Sequence, residues 1–129
     1  MPVEETILKF AIFDQLQRAM AANPAGFAEL YRDYLGDAWQ ALRTMRNSAA
    51  LRQAEATRTK AHYLKSGSLI LGAQRVARDA ARMEEAAISG NLENFGELLF
   101  AAERDLRELQ TELVKRLGPE VVPAGASAA

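Results

Sequence analysis

The stretch that decides the fold is Ala61–Ala73, AHYLKSGSLILGA, which holds the single histidine of the 129-residue chain. Its apolar residues recur at the spacing of an α-helix, which turns about 100° per residue. Measured from Ala61, Leu64 and Leu71 fall at roughly 280–300°, while Gly67 and Tyr63 fall at roughly 240° and 200°. The pattern therefore predicts a helix whose core side is centred at roughly 270°.

The opposite side of the same helix is polar, and we expect it to face solvent. Its members lie between roughly 40° and 140° on the helical wheel. They are Arg58, His62, Lys65, Ser66 and Leu69. A lone histidine in a helix is usually a surface residue or a hydrogen-bonded packing residue, and its position on the wheel argues against burial in the core.

His62 on this outer face is a candidate phosphoryl acceptor. Neutral imidazole is a nucleophile that can take up a phosphoryl group and release it. Arg58 and Lys65 lie one turn before and one turn after it, where positive charge disfavours the imidazolium and stabilises phosphoryl oxygens. Ser66 has a small side chain that leaves room for a partner protein to approach His62, and Leu69 offers that partner an apolar contact.

Helical periodicity covers most of the chain and predicts five helices. We expect them at about 3–22, from the NPAG break at 23–26 to a connection at 47–48, at 49–71, at 73–89 and at 95–117. Ser48 is the expected N-cap of the third helix. Short connections and one-sided apolar stripes favour an all-α fold, an antiparallel four-helix bundle with an additional N-terminal helix across one end as a lid.

One domain is expected over residues 1–118, followed by a flexible C-terminal tail over residues 119–129 after Gly118-Pro119. The aromatic residues of the second helix are expected to pack in the core or under the lid. They are Phe27, Tyr31, Tyr34 and Trp39. The acidic pair Glu84-Glu85 and the arginines of the last two helices are interpreted as a solvated face with local ion pairs.

Composition narrows the classes of function. Sixteen basic against seventeen acidic residues give a net charge of −1, which argues against a general nucleic-acid-binding protein. A single histidine and no cysteine argue against a zinc site. An all-carboxylate Mg²⁺ or Ca²⁺ site stays open, although no Asp/Asn-rich loop with a central glycine is present.

The N-terminal residues, MPVEETILKF, carry acids where a signal peptide carries Lys or Arg. No window approaches the ~20 apolar residues of a membrane span. The absence of cysteine fits a reducing compartment. We therefore expect a soluble cytoplasmic protein that does not interact with a membrane.

The residues around His62 resemble the signature of the histidine-containing phosphotransfer (HPt) domains of two-component phosphorelays. That signature reads Ala-His-x-Leu-Lys-Gly, a few small residues, then Leu-Gly-Ala. The chain has AHYLKS at 61–66 and closes with LGA at 71–73, at the same spacing. The next segment, RVARDAARMEEAAISGN, resembles the following helix of the family, with Met83-Glu84 where Leu-Glu is usual. The resemblance extends from about Phe13 to Leu113 and implies a four-helix bundle.

The resemblance also implies roles for individual residues. His62 corresponds to the phosphoacceptor, through Nε2, and Lys65 to the lysine that neutralises the phosphoryl group. Ser66 departs from the pattern, because the family prefers glycine directly after the lysine. HPt domains are stoichiometric carriers between receiver-domain aspartates, and the receiver supplies the Mg²⁺. The resemblance thus implies a monomeric phosphocarrier, not an enzyme, with receiver domains as partners and no cofactor of its own.

Two other functions remain open at the level of sequence. The first is a non-phosphorylated HPt-like adaptor that binds or inhibits a receiver or kinase, an alternative raised by Ser66. The second is an enzyme, for which the sequence offers little support. Tyr63 follows the histidine where a histidine kinase typically has an acid, no nucleotide-binding glycine motif is present, and Glu55 lies too far along the helix to orient His62 as a general base.

Overall fold

The computed structural model describes residues 5–125, and every regular element in that range is helical. The elements are α1 (Phe10–Ala19), α2 (Pro24–Ala50), α3 (Ala54–Leu71), α4 (Gln74–Ile88), α5 (Phe95–Leu117) and a short 3₁₀ helix (Pro119–Val121). α2 and α4 each contact both α3 and α5, so the four long helices close a ring. The predicted all-α bundle with an additional N-terminal helix is confirmed.

α1 packs across the end of the bundle where α2 begins and α3 ends. The Phe13 ring lies 5.2 Å from the Phe27 ring and 5.6 Å from the Tyr31 ring, measured between centroids. All three rings are buried, so the predicted packing of the aromatic residues under the lid is confirmed for this cluster. Trp39 is also buried, and its indole N–H donates to the Gln110 side chain at 3.0 Å.

Gly72 joins α3, α4 and the lid. It ends α3 in a left-handed conformation with φ of 79°, which glycine adopts without steric cost. Its carbonyl accepts a hydrogen bond from the Lys9 N–H at 2.8 Å. A Cβ at this position would lie 3.2 Å from the Lys9 carbonyl and 3.2 Å from the Ile12 Cβ. The absence of a side chain therefore lets α1 approach the end of the helix that carries His62.

The first helix begins later than predicted. Helix α1 starts at Phe10, and the preceding residues are tied to α4 by Gln74 and Arg75, which donate to the backbone carbonyls of residues 6 and 5. Ile7 and Leu8 are both buried, although they are adjacent in sequence. The start predicted near residue 3 lies outside the described residues.

The connection between α2 and α3 also differs from the prediction. α2 continues to Ala50, so Ser48 lies within α2 and does not cap α3. The Ser48 hydroxyl is buried and lies 2.6 Å from the Thr57 hydroxyl of α3. The polar side chain that suggested a helix start instead pairs with another polar side chain between two helices.

The segment predicted to be a flexible tail packs on the bundle over its first residues. The 3₁₀ helix contacts α2 and α5, Val121 has no exposed surface, and Pro123 is buried. Burial of these apolar side chains fixes the segment beyond Gly118. The domain boundary predicted at 118 therefore falls inside a packed region, and residues 126–129 lie outside the described residues.

No helix in the described range is long and apolar enough to cross a membrane. The core is instead built from one-sided helices, as the apolar stripes predict. Its largest fully buried side chains come from α2, α4, α5 and the 3₁₀ helix, with Thr57 contributed by α3. They are Phe27, Tyr31, Leu35, Met45, Thr57, Val76, Met83, Asp105, Leu106, Leu109, Leu113 and Val121.

Two buried carboxyl groups lie between α4 and α5, where the sequence indicated a solvated face. Asp79 is 2% exposed and Asp105 is 0% exposed. Arg78 lies 3.7 Å from the Asp79 carboxyl and 3.5 Å from that of Asp105. Arg75 and Arg104 each lie 3.7 Å from Asp105. The predicted ion pairs of these arginines are present, but the interpretation of a solvated face is wrong for their partners, because both acids are buried.

Burial, together with the neighbouring Asp105 carboxyl, raises the pKa of Asp79 from 3.8 to about 7. Arg78 and Arg82 lower the pKa but do not cancel the effect of burial. A protonated Asp79 can donate to the Asp105 carboxylate, whereas two ionised groups would repel each other. Protonation of Asp79 would therefore relieve the repulsion between the two carboxyl groups at the α4–α5 contact.

Asp79→Asn is expected to remove a pH dependence of stability. The unfolded chain ionises this carboxyl near pH 3.8, whereas the folded protein keeps it protonated to about pH 7. Release of this proton from the unfolded chain therefore lowers the free energy of unfolding, by about 1–4 kcal/mol in total, as pH rises between the two pKa values. At higher pH the contribution of Asp79 stays constant. Urea unfolding at pH 5 and pH 8 measures this difference. An identical pH dependence in wild type and variant would contradict it.

Candidate functional site

His62 lies on the outer face of α3, as the helical wheel predicts. Its side chain is 57% exposed, and Leu69 on the same face is 55% exposed. Leu64 and Leu71 are 3% and 5% exposed and hold α3 in the bundle. The histidine is therefore accessible to another protein without any movement of the bundle.

The core side of α3 is rotated from the predicted direction. Thr57, Ala61 and Ser68 have no exposed surface, which moves the centre of the buried side to roughly 320° on the same wheel. Tyr63, which the sequence placed at the edge of the core, is 59% exposed. The sequence misplaced it because small and polar residues, which carry little hydrophobic signal, complete the buried face.

A carboxylate from α4 organises the site. One oxygen of Glu84 lies 2.7 Å from Nδ1 of His62, and the other lies 2.6 Å from Nζ of Lys65. The Glu84 side chain is only 13% exposed. The hydrogen bond from Lys65 lowers the pKa of Glu84, burial opposes this, and the hydrogen bond with His62 lowers it further. Glu84 is therefore an ionised acceptor that binds both functional side chains.

The interpretation of Glu84 as part of a solvated acidic pair is wrong. Its neighbour Glu85 is exposed, but Glu84 turns toward α3 and joins the two helices. The orienting carboxylate that the sequence lacked within α3 is supplied by α4. Only the Met83-Glu84 pair in the helix after the histidine could have indicated this residue.

This contact fixes the chemistry of the imidazole ring. An ionised carboxylate accepts hydrogen bonds and cannot donate them, so Nδ1 of His62 carries the proton toward Glu84. The lone pair of the neutral ring is then on Nε2. No residue between 5 and 125 forms a hydrogen bond with Nε2. The nucleophilic nitrogen is therefore free, while the other nitrogen is held.

The two cations near His62 are each paired with an acid. Lys65 is paired with Glu84, and Arg58 donates to Glu55 at 3.0 and 2.5 Å. The Glu55 carboxylate, through these hydrogen bonds, raises the pKa of Arg58. The charged group nearest to the ring is thus a carboxylate, and the sequence argument from two flanking cations was incomplete.

The remaining predicted contact residues surround the histidine on α3. Ser66 is partly buried one turn after His62, and Leu69 is exposed one turn further. Arg58 precedes His62 by one turn, and its side chain is 36% exposed. The structure therefore brings all five predicted site residues to one surface and adds Glu84, which the sequence analysis did not include.

No group of three or more His, Asp or Glu side chains in the part of the chain that the structure describes is arranged to hold a metal ion. The buried pair Asp79 and Asp105 is surrounded by arginines, whose charge disfavours a cation there. The site thus consists of one exposed imidazole that is held by the Glu84 carboxylate and its ion pair with Lys65.

Comparison with known proteins gives the family. The Hpt domain family matches residues 29–115. The crystal structure of histidine-containing phosphotransfer protein B from Pseudomonas aeruginosa PAO1 superposes with a TM-score of 0.80 at 24% identity, over 88% of this chain and 96% of that one. That likeness is one of fold. No curated protein matches the chain significantly.

The chain belongs to the Hpt domain family, because the match spans most of its length. Its class is therefore that of the helical bundles that serve histidine phosphotransfer in phosphorelays and interact with receiver domains. Members of this family act as phosphocarriers, and the fold of the chain is that of a solved histidine-containing phosphotransfer protein. The resemblance inferred from the sequence around His62 is confirmed at the level of family and fold.

Glu84→Ala is expected to change the tautomer of His62. In wild type above pH 8, the ring should carry its proton on Nδ1, because the Glu84 carboxylate accepts from that nitrogen. The ¹⁵N chemical shifts of a histidine-labelled sample measure the two tautomers. The variant should show a substantial Nε2–H population, and Glu85→Ala is the matched control because Glu85 is exposed and makes no such contact. Equal tautomer populations in wild type and Glu84→Ala would contradict the assignment.

Proposed function

We propose that His62 accepts a phosphoryl group on Nε2 from the aspartyl phosphate of a receiver domain and passes it to the aspartate of another receiver. The observation that carries the proposal is the Glu84 contact, which holds Nδ1 at 2.7 Å on a side chain that is 57% exposed and leaves Nε2 without a hydrogen-bond partner among residues 5–125. A packing histidine would have both nitrogens satisfied or its ring buried. His62 has neither property.

The transfer step involves only Nε2 of His62 and the phosphorylated aspartate of the receiver. The lone pair on Nε2 attacks phosphorus, the N–P bond forms, and the P–O bond to the receiver aspartate breaks with its electron pair leaving on the carboxylate. Nδ1 keeps its proton, so the phosphorylated ring carries positive charge. Glu84 faces that charge and stabilises it, as a preorganised carboxylate does when charge develops beside it. The reverse step regenerates the neutral ring.

Lys65 is proposed to stabilise the phosphoryl group. Its ammonium is held by Glu84 at 2.6 Å, on the same carboxylate that binds His62. The side chain is 29% exposed and has two further N–H donors, which can reach phosphoryl oxygens without loss of the Glu84 contact. Charge-assisted hydrogen bonds of this kind favour the phosphorylated state.

Arg58, Ser66 and Leu69 are proposed to contact the receiver. They surround His62 on α3, and the exposed Leu69 supplies an apolar contact beside the two polar ones. Ser66 adds a hydroxyl where the family prefers glycine, and this hydroxyl can donate to a phosphoryl oxygen. We further propose a stoichiometric carrier that acts as a cytoplasmic monomer without a cofactor of its own.

Substitution of His62 by Gln is expected to abolish phosphotransfer. Glutamine keeps a polar side chain of similar length but has no nucleophilic nitrogen. Purified receiver domains from the hybrid kinases and response regulators of the source organism are phosphorylated with ³²P and mixed with wild type or variant. Label should move to wild type as an acid-labile, base-stable phosphoramidate and should be absent from the variant.

Tyr63→Phe is the matched control, because it keeps the exposed aromatic ring beside His62 and removes only a hydroxyl that forms no hydrogen bond in the described structure. It should accept label. Equal labelling of wild type and His62→Gln would exclude His62 as the acceptor. Receiver binding by both proteins without any label on wild type would favour the non-phosphorylated adaptor instead.

A further inference from the structure

A groove between α2 and α3 runs beside the histidine, and Ser66 is the one lining residue that has a role in the proposed phosphoryl chemistry. It has a volume of about 390 Å³ and is lined mainly by apolar side chains. Tyr63 and Ile70 stand at its rim and are 59% and 68% exposed. Gly67 also lines the groove, and a Cβ built on it would lie 3.9 Å from the Tyr34 ring.

The charged side chains that line this groove in the described structure are both acidic. They are Asp33 and Asp37 of α2, one helical turn apart and both exposed. Neither forms a salt bridge with any residue from 5 to 125, unlike Glu55 and Glu84 on the other side of α3. Two unpaired carboxylates beside an exposed apolar surface leave a local negative charge that a partner can neutralise.

The groove is continuous with the phosphoacceptor surface. Ser66 lines the groove and lies one turn after His62 on α3. Tyr63, directly after His62, forms another part of the lining. A protein that reaches Nε2 from the solvent side therefore also covers the groove.

From these observations we propose that Asp33 and Asp37 determine which receiver docks at His62. They would select a receiver that presents an apolar helix face bordered by Lys or Arg to the α2–α3 groove. The inference rests on the proposed function for the identity of the partner. An amphipathic helix fits because a groove between two helices accepts a row of apolar side chains, while a basic border meets the acidic wall.

The surrounding charges favour this partner over a second copy of the chain. In a two-fold contact through the groove, the same surface would face itself and would bring Asp33 and Asp37 of the two copies together. Lys60, which lies over the Tyr63 ring at 5.7 Å, is a nearby cation, but it does not line the groove. A receiver with basic residues meets no such repulsion.

The test measures the affinity of receiver domains from the source organism by isothermal titration calorimetry. Neutralisation of the two groove acids in Asp33→Asn/Asp37→Asn should weaken receiver binding by at least about fivefold at ~50 mM salt. The difference from wild type should be smaller at ~500 mM salt, because salt screens exposed charges. The matched control is Glu93→Gln/Glu97→Gln, which neutralises two exposed acids, one just before α5 and one in its first turn. Its affinity should equal that of wild type.

The apolar part of the groove is tested with two equally exposed isoleucines. Ile70→Ser should weaken binding about tenfold, whereas Ile88→Ser on α4 should not, although Ile70 and Ile88 are 68% and 67% exposed. Labelling of His62 by phosphoramidate, which needs no protein partner, should be unchanged in all four variants. This control shows that the variants are folded and that the site is intact.

The outcomes separate the groove from the phosphotransfer chemistry. Receiver binding that depends on Asp33, Asp37 and Ile70 without phosphoryl exchange would support the groove and overturn the proposed function. Phosphoryl exchange together with unchanged receiver affinity in the groove variants would overturn the proposed docking role of the groove and support the proposed phosphotransfer function. Sedimentation showing a dimer that Ile70→Ser dissociates would also overturn the proposal, because the occupant would then be a second copy.

Discussion

The site depends on the carboxylate of Glu84, which binds His62 through one oxygen and Lys65 through the other. It crosses from α4 to α3, so the orientation of the imidazole is set by the packing of two helices. Its second effect is chemical, because an acceptor on Nδ1 leaves the lone pair on Nε2. One charged group thus positions the imidazole and anchors the lysine, and in the proposed function it would face the positive charge of a phosphorylated ring.

The bundle makes this contact possible by giving α3 two different sides. Leu64 and Leu71 are buried, and His62 is exposed on the same helix. Gly72 then ends α3 in a left-handed conformation, so that α4 returns along it and brings Glu84 beside the histidine. The absence of a side chain on Gly72 also admits the lid. The fold therefore supplies a rigid support for a single exposed nitrogen.

The sequence predicted the helices and the exposure of His62 because a period of 3.6 residues is a local property of the chain. It failed where side chains of two helices meet. Ser48 looked like a helix cap but pairs with Thr57, and Glu84 looked solvated but reaches His62. The sequence analysis assigned no role to Asp79, which is buried between α4 and α5. Polar contacts between helices leave no periodic signal, so only the three-dimensional structure shows them.

We propose that His62 is phosphorylated on Nε2 while Nδ1 keeps its proton toward Glu84. The most direct measurement is NMR of the ¹⁵N-histidine protein after reaction with phosphoramidate, in which ³¹P–¹⁵N coupling identifies the bonded nitrogen. We expect one phosphohistidine, with phosphorus coupled to Nε2 and a proton on Nδ1. Phosphorus coupled to Nδ1, or an unmodified histidine under conditions that phosphorylate free imidazole, would contradict it.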